Sequence, residues 1–408
     1  MSQSAEGRVV ESERLFNRRI TAYYVYFVAS QTAFDRGIFV LFLLSKQFSG
    51  EQIGLLQASL FWATVASEVP TGIIGDKYGK KLSVGIGLGL FISYCASVIL
   101  FSGFAPFLLL YCVYGVAKSF ISGSDRALLF DYLKAHGREE DFLRIDSRAR
   151  ALGAFAMAIA IVAGGYLQRV SWSLVYIAYG LAFVVSLVAW SRMRDVESEV
   201  GSDTSQGART GILQQIGQFF FQQPGKGLTM LIVASALLVG ALTPYYIFSQ
   251  AIFKAYGLEP YQIGTVIAVA EVLAAGSYLL AERVSRLLSL EHALYLAAAL
   301  AAGLLVLNGV HELRLMVVAF LSVTALGPLC EVLVGNYLIG KVPGPIRASA
   351  MSIVSFVESM VISVGYLGYG YALELIDIRQ FVVASALLPC MAAGCAFVYF
   401  RRARSALA

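Results

Sequence analysis

Twelve apolar segments, each of membrane-spanning length, leave this chain of 408 residues few folds to choose from. They run over residues 20–45, 52–75, 82–102, 105–132, 148–168, 172–191, 228–250, 261–281, 290–308, 313–339, 348–373 and 380–400. A helix needs about 20 residues to cross the hydrocarbon of a bilayer. Continuous apolarity argues for helices, because the strands of a membrane barrel alternate apolar and polar over about ten residues. Composition agrees: 14% of residues are charged, against about 25% in soluble domains. The fold expected is an all-α membrane protein with twelve transmembrane helices in two six-helix bundles.

Lysine and arginine set the orientation. With both termini in the cytoplasm, the inner segments hold 23 of the 31 basic residues and the outer loops hold 5, Lys46, Arg169, Lys254, Arg314 and Arg379. That is a strong positive-inside bias. The net charge of +5 is therefore a matter of topology, and no nucleic-acid partner is drawn from it. Residues 1–19 are polar and then basic, without the short apolar core and cleavage site of a signal peptide. The five cysteines lie in apolar segments and spell no disulfide framework or metal site.

One long polar break interrupts the pattern. Residues 192–227 have linker composition, with little capacity to pack, and Gln214–Gln223 within them reads as a short interfacial helix. The domains expected are residues 1–191, a linker at 192–227, and residues 228–408. The halves repeat: Gln52-Ile53-Gly54 recurs as Gln262-Ile263-Gly264, and each copy opens an even-numbered helix. An even number of helices per repeat gives the two copies parallel topology.

Between the second and third segments the chain reads Glu68-Val69-Pro70-Thr71-Gly72-Ile73-Ile74-Gly75-Asp76-Lys77-Tyr78-Gly79-Lys80-Lys81. Small residues at Gly72 and Gly75 permit close helix approach, Gly79 supplies a sharp turn, and the lysines belong at a cytoplasmic surface. The spacing Gly-x3-Asp-Lys-x-Gly-Lys-Lys resembles the loop signature of the major facilitator superfamily, with Lys80 where Arg is commoner. Helix 4 and its exit (Ile121 to Asp131), with Glu68–Gly72 upstream and Arg347–Ser352 entering helix 11, resemble a bacterial branch rich in drug and small-metabolite exporters. The resemblance implies a central cavity between two bundles, lined above all by helices 1, 4, 7 and 10. It also implies that Asp76 and the helix-4 acid Asp131 latch a conformational switch, together with Glu68, Gly72, Lys77, Gly79, Lys80 and Lys81. Asp76 is further expected to cap helix 11 through its positive N-terminal dipole. Two departures stand out: of the helix-5 Gly-Pro-x-x-Gly-Gly signature of antiporters only Gly164-Gly165 remains, and Tyr111 stands where many antiporters carry Arg.

Ionisable residues inside a span cost several kcal/mol unless paired or hydrated, so each is a functional candidate. The acids are Asp35, Glu68, Asp125, Glu271, Glu331 and Glu358, and the bases are Arg36, Lys118 and Arg126. Six acids face three bases, so three carboxyls must be protonated, hydrated or bound to a cation. Low dielectric disfavours the charged form, and a carboxyl there can load and release a proton as its exposure changes. The order of proton-site candidates is Asp35, Glu358, Glu271, Glu331. Lys118, Ser122 and Arg126 share a face at i, i+4 and i+8 of a continuous helix 4, while Asp35 and Arg36 point about 100° apart on helix 1. Tyr23 and Tyr26 on helix 1, and Tyr245 and Tyr246 after Pro244 on helix 7, complete the substrate-cavity candidates; such aromatic walls suit an amphipathic organic molecule.

The function expected is a proton-coupled secondary transporter exporting a small amphipathic organic compound by rocker-switch alternating access. Its partners are the substrate, protons and the bilayer of a bacterial cytoplasmic membrane. It would act as a monomer, with no cofactor beyond the proton gradient. No Gly-x4-Gly-Lys-[Ser/Thr] pattern occurs to support ATP-driven transport. Proton-coupled uptake of a metabolite or metal chelate uses the same machinery in reverse. A membrane enzyme or a non-transporting sensor is the alternative of another class, against which stand the missing nucleophile–base pair and the lack of a sizeable soluble domain.

Overall fold

The computed structural model describes residues 2–195, 227–343, 347–375 and 377–405, with side chains described except at 2–12 and 347–349. The helices are α1 (Ser2–Gln31), α2 (Phe39–Ser45), α3 (Gly50–Tyr78), α4 (Lys80–Leu100), α5 (Phe104–Ile121), α6 (Ser124–Ala135), α7 (Asp141–Gln168) and α8 (Trp172–Ser191). They continue as α9 (Leu228–Ala255), α10 (Pro260–Leu287), α11 (Leu290–Val306), α12 (Leu313–Lys341), α13 (Arg347–Leu375), α14 (Ile378–Ser385) and α15 (Leu387–Ser405). No strand occurs among the described residues. The interfacial helix expected at 214–223 lies outside them.

The helical architecture is as expected, and among the described residues ten segments are long and apolar enough to cross a membrane by themselves. The two that fall short are the first and second. The apolar stretch of α1 ends at Gln31, before the helix has a full span, and α3 carries Glu51, Gln52, Gln57 and Glu68 along its length.

Two expected spans are broken. The segment expected as one helix over 20–45 leaves helical geometry from Thr32 to Ile38 and resumes at Phe39. The reason is tertiary. The Phe34 carbonyl presses so closely on Gly164 of α7 that no Cβ would fit there. Helix 4 divides into α5 and α6 at Ser122-Gly123, where Gly123 takes φ +78°. Lys118, Ser122 and Arg126 therefore do not form one stripe. Nor are Asp35 and Arg36 splayed by a helical turn, since they sit in the non-helical break.

By its contacts the described chain forms two units, residues 2–37 with 63–195 and residues 38–62 with 227–405. In the first, α4 packs against α5 and α8, and α1 packs against α7 and α8. Tyr26, Tyr176, Tyr179, Phe183 and Trp190 give it a densely aromatic core. In the second, α9 packs on α13 and α15, and α10 on α12. Here α2 joins α9 through the Val40 amide, which donates to Gln250 Oε1 at 3.0 Å.

The repeated Gln-Ile-Gly has a physical origin. Gln52 Oε1 accepts from the Ser49 amide at 3.0 Å while Ser49 Oγ accepts from the Gln52 amide at 3.1 Å. Glu259 and Gln262 form the same reciprocal box at the start of α10. Each box satisfies amides that the first helical turn leaves without partners. Ile53 and Ile263, one residue on, have no exposed surface.

Candidate functional site

Asp35 follows the end of α1 and is 8% exposed. The break that Gly164 permits carries this carboxylate inward among α4, α5 and α8. It accepts a hydrogen bond from Tyr176. Tyr94, Tyr111, Tyr114, Tyr179 and the Cys95 thiol share its electrostatic surroundings, as does Arg36 beside it in sequence. The Tyr94 and Tyr111 rings stand edge-on with centroids 6.3 Å apart. Ring centroids of Tyr94 and Tyr114 stand 5.0 Å apart, and Phe91 stacks on Phe183 at 4.6 Å behind them. Sequence reasoning had Asp35 but missed this enclosure. Its signal was present in Tyr111/Tyr114 and Tyr176/Tyr179, two pairs at i, i+3 that each occupy one helix face.

A second buried acid, Asp125, heads α6. Tyr26 Oη donates to its Oδ2 at 3.2 Å, and the Arg126 amide donates to Oδ1 at 2.8 Å. Arg126 forks onto Asp146 of α7, with Nε to Oδ1 at 3.2 Å and Nη2 to Oδ2 at 2.9 Å. Arg150 adds a contact to the same carboxylate at 3.0 Å. Arg126 is thus tied into an ion-pair network. Tyr23 and Tyr26 have no exposed surface, and the Tyr26 ring lies 4.4 Å from Trp190. These two tyrosines are core rather than cavity wall. Asp125 takes the Tyr26 hydroxyl and Trp190 its ring, while the Tyr23 ring lies against Tyr26 and Phe27.

At the loop signature, Lys80 Nζ meets Asp131 Oδ2 at 2.5 Å, bringing two expected switch residues together. Asp76 and Lys77 are exposed at the end of α3, and Asp76 makes no ion pair among the described residues. The far end expected for its helix cap, at residues 344–349, lies outside the described side chains. Glu68 and Gly72 are exposed, and no described atom lies within contact of a Cβ built on Gly72. The close approach expected at Gly72 is therefore not made there. Val69 and Ile73 beside it are exposed as well, so this face of α3 has no described neighbour.

Gly79 takes φ +101°, and a Cβ there would stand 2.7 Å from Asp195 Oδ2. The other oxygen of Asp195 accepts from the Lys81 amide at 2.9 Å, while Trp190 Nε1 donates to the Lys81 carbonyl at 2.9 Å. Asp195 thus holds the N-terminus of α4, where a negative charge is favoured. At the start of the expected linker Met193 is consequently packed, at 1% exposed, while Arg192, Arg194 and Asp195 keep exposed surface.

In the second unit Glu358 of α13 accepts from Ser235 Oγ at 2.8 Å, and the carboxylate of Glu331 on α12 lies in its field. Both are acids and neither has a basic partner within ion-pair distance among the described residues. Glu271 of α10 accepts from Tyr246 Oη at 2.6 Å. Tyr245 is buried and donates to Asn308 Oδ1 at 2.9 Å, so it too is core. Tyr246, Arg36 and Lys118 keep exposed surface.

The sequence model of the Major Facilitator Superfamily matches residues 25–366. Among relatives, an MFS-type transporter of Bacillus subtilis, YxaM, is 24% identical over 57% of this chain and 57% of its own length. A probable small intestine urate exporter of Mus musculus is 24% identical over 68% of this chain and 61% of its own length. The chain thus spans less than two thirds of either. Among solved structures, the nucleoside transporter NupG superposes with a TM-score of 0.72 over 95% of this chain and 99% of its own, at 14% identity.

Proposed function

The chain belongs to the major facilitator superfamily, and from that premise we propose that it is a proton-coupled secondary transporter exporting a small amphipathic organic compound by alternating access. The observation that carries the coupling is the placement of Asp35: a carboxyl withdrawn from water, held by one phenol, with its only sequence-adjacent cation at Arg36. Such a group changes protonation when its exposure changes, which is what coupling requires. Glu358 and Glu331 are further proton-site candidates in the second unit, acids with no basic partner within ion-pair distance among the described residues. Export as the direction is supported by the urate exporter among the relatives and by the branch resemblance of the helix-4 exit. Taken unit by unit, the substrate contacts in this reading are Arg36 and Lys118 in the first and Tyr246 in the second, because each combines a polar tip with exposed surface.

The Lys80–Asp131 pair and the Asp195 cap are the parts that must rearrange or persist as the transporter cycles. The test is proton release from everted membrane vesicles carrying the chain, challenged with a panel of amphipathic cations, anions and neutral drugs. Release that depends on compound and disappears in Asp35→Asn supports antiport. Alkalinisation of the medium, with compound moving along with the proton, replaces export by uptake.

A further inference from the structure

The two capping boxes of the repeat differ at one position. After Glu259 the chain places Pro260 at the start of α10, where a residue without an N–H leaves no amide to satisfy. The matching residue at the start of α3 is Gly50, which keeps its N–H and is buried. The box of Ser49 and Gln52 serves the amides of those two residues and not this one. A buried amide without an acceptor is costly. The acceptor comes from α13: the Gly50 amide donates to Glu374 Oε1 at 2.7 Å. Glu374 lies in the last turn of α13, the end of its own helix at which the dipole disfavours an acid. The same charge is favoured beside the N-terminus of α3. Its carboxylate is exposed, and among the described residues it forms no ion pair and no other hydrogen bond.

Next to this bond the two backbones close on each other. A Cβ built on Gly50 would run into the Gly370 carbonyl and stand 2.8 Å from Leu373, and one on Gly54 would stand 2.5 Å from the Tyr366 carbonyl. Further along, the rings of Phe61 and Tyr366 lie 5.6 Å apart. The seam runs from Gly50 to Phe61 on α3 and lies wholly within the second unit. From Ala63 onward α3 belongs to the first unit, so it is a helix that both units share.

We propose that Glu374 is the latch of this seam, a positioning residue that fixes the start of α3 to α13 and whose release lets the seam open as one step of the transport cycle. It rests on the reading above that the chain works by alternating access. Gly50, Gly54 and Gly370 bring backbones together but offer no side chains to interlock. A charge-assisted hydrogen bond at the end of such a seam is therefore a large part of what holds it. Because the carboxylate is already exposed, water can replace the Gly50 amide as its partner once the seam parts. The other repeat has no counterpart, since Pro260 presents no N–H to hold.

The experiment is hydrogen–deuterium exchange of the full chain in lipid nanodiscs, read by mass spectrometry over residues 50–60 of α3, 362–375 of α13 and 260–270 of α10. Glu374→Ala removes the acceptor and should speed exchange in the α3 and α13 segments by a common factor of about 5–30, with the α10 segment unchanged. Glu374→Gln keeps an oxygen for the Gly50 amide without the charge, and should speed both by a smaller common factor. Faster exchange confined to the first turn of α3 would make Glu374 a local cap and overturn the latch. So would unchanged exchange in both segments. Should Glu374→Ala loosen all three segments, its fold is lost and Glu374→Gln decides by the same criteria. In everted vesicles the rate of compound-dependent proton release should change most in Glu374→Ala, and an unchanged rate beside a loosened seam overturns its place in the cycle. Exchange uses no substrate, so it can overturn the latch without touching the transport reading, whose own failure shows as silence of the unaltered protein in the vesicles.

Discussion

The Phe34 carbonyl lies against Gly164, inside the distance at which any Cβ could stand. This one approach sets the break between α1 and α2, and with it the inward course of Asp35. Gly164→Ala must therefore push the break away or distort α7. Overpacking of this kind costs about 1–3 kcal/mol, read as a lower unfolding temperature of the protein in detergent. Because the displaced segment carries Asp35, the same substitution should also alter the infrared carboxyl band of Asp35. Loss of stability with an unchanged band would separate the contact from the site.

Asp195 and Gly79 form a second dependent pair. Truncating Asp195 to Ala removes the acceptor at the α4 N-terminus and should cost about 0.5–2 kcal/mol, as for other helix caps. Gly79→Ala meets two penalties, the positive φ and the Asp195 carboxylate 2.7 Å from the new methyl. In the double variant the second penalty vanishes. The double-mutant cycle should accordingly show Gly79→Ala costing less in the Asp195→Ala background, with a coupling of about 0.5–3 kcal/mol. Strict additivity would mean that the two residues do not touch in solution.

What the sequence made legible follows from where the information resides. Spans α4 to α15 are written in local apolarity, and the capping boxes at Ser49–Gln52 and Glu259–Gln262 are written in a repeated triplet. The break at 32–38 is not local. Thr32 to Gly37 contains no proline, and the chain leaves the helix because α7 offers Gly164 to its carbonyl. Tyr94, Tyr111, Tyr114, Tyr176 and Tyr179 could be seen as helix-face pairs, yet no single sequence says that α4, α5 and α8 bring them to one carboxylate. Asp195 was hidden by composition, since a polar stretch reads as linker whether or not its first residues are packed.

Lys80 and Asp131 test the switch. Their side chains are 27% and 28% exposed, so the pair is screened by solvent on one side. Lys80→Met and Asp131→Asn should each weaken transport, and the double variant should do no worse than the poorer single one. The coupling expected is on the order of 1 kcal/mol. Transport rates of the four proteins, measured side by side in proteoliposomes, supply the readout, and full additivity there would remove the pair from the switch.

Acid should release a clip at the head of α14. Arg379 Nε donates to both carboxylate oxygens of Asp377, at 2.8 and 2.9 Å, while Nη1 reaches Tyr256 Oη at 3.3 Å and His311 Nδ1 at 2.5 Å. The guanidinium holds the Asp377 carboxyl below the usual carboxylate range. With the folded value depressed, the stabilisation is fully present above the unfolded value of about 3.9 and is lost as pH falls through the folded one. The unfolding temperature of the protein should therefore exceed that of Asp377→Asn by a constant margin above about pH 5, and the margin should shrink only below about pH 4. A margin that changes near neutrality would mean that Asp377 is not the group that sets it.

The two units carry different candidate acids, and substitution separates their roles. Asp35→Asn leaves the Tyr176 hydroxyl a partner, so the tyrosine enclosure should hold while the proton is lost from the cycle. Concentrative transport should then disappear and substrate exchange should persist. Glu358→Gln keeps the Ser235 hydrogen bond but relieves the repulsion from Glu331. If that carboxylate pair shares a proton, Glu358→Gln should shift the pH dependence of transport without abolishing accumulation. Exchange and accumulation measured side by side in proteoliposomes decide the matter. Accumulation lost in Glu358→Gln and intact in Asp35→Asn would transfer the coupling proton to the second unit and leave Asp35 without a role in it.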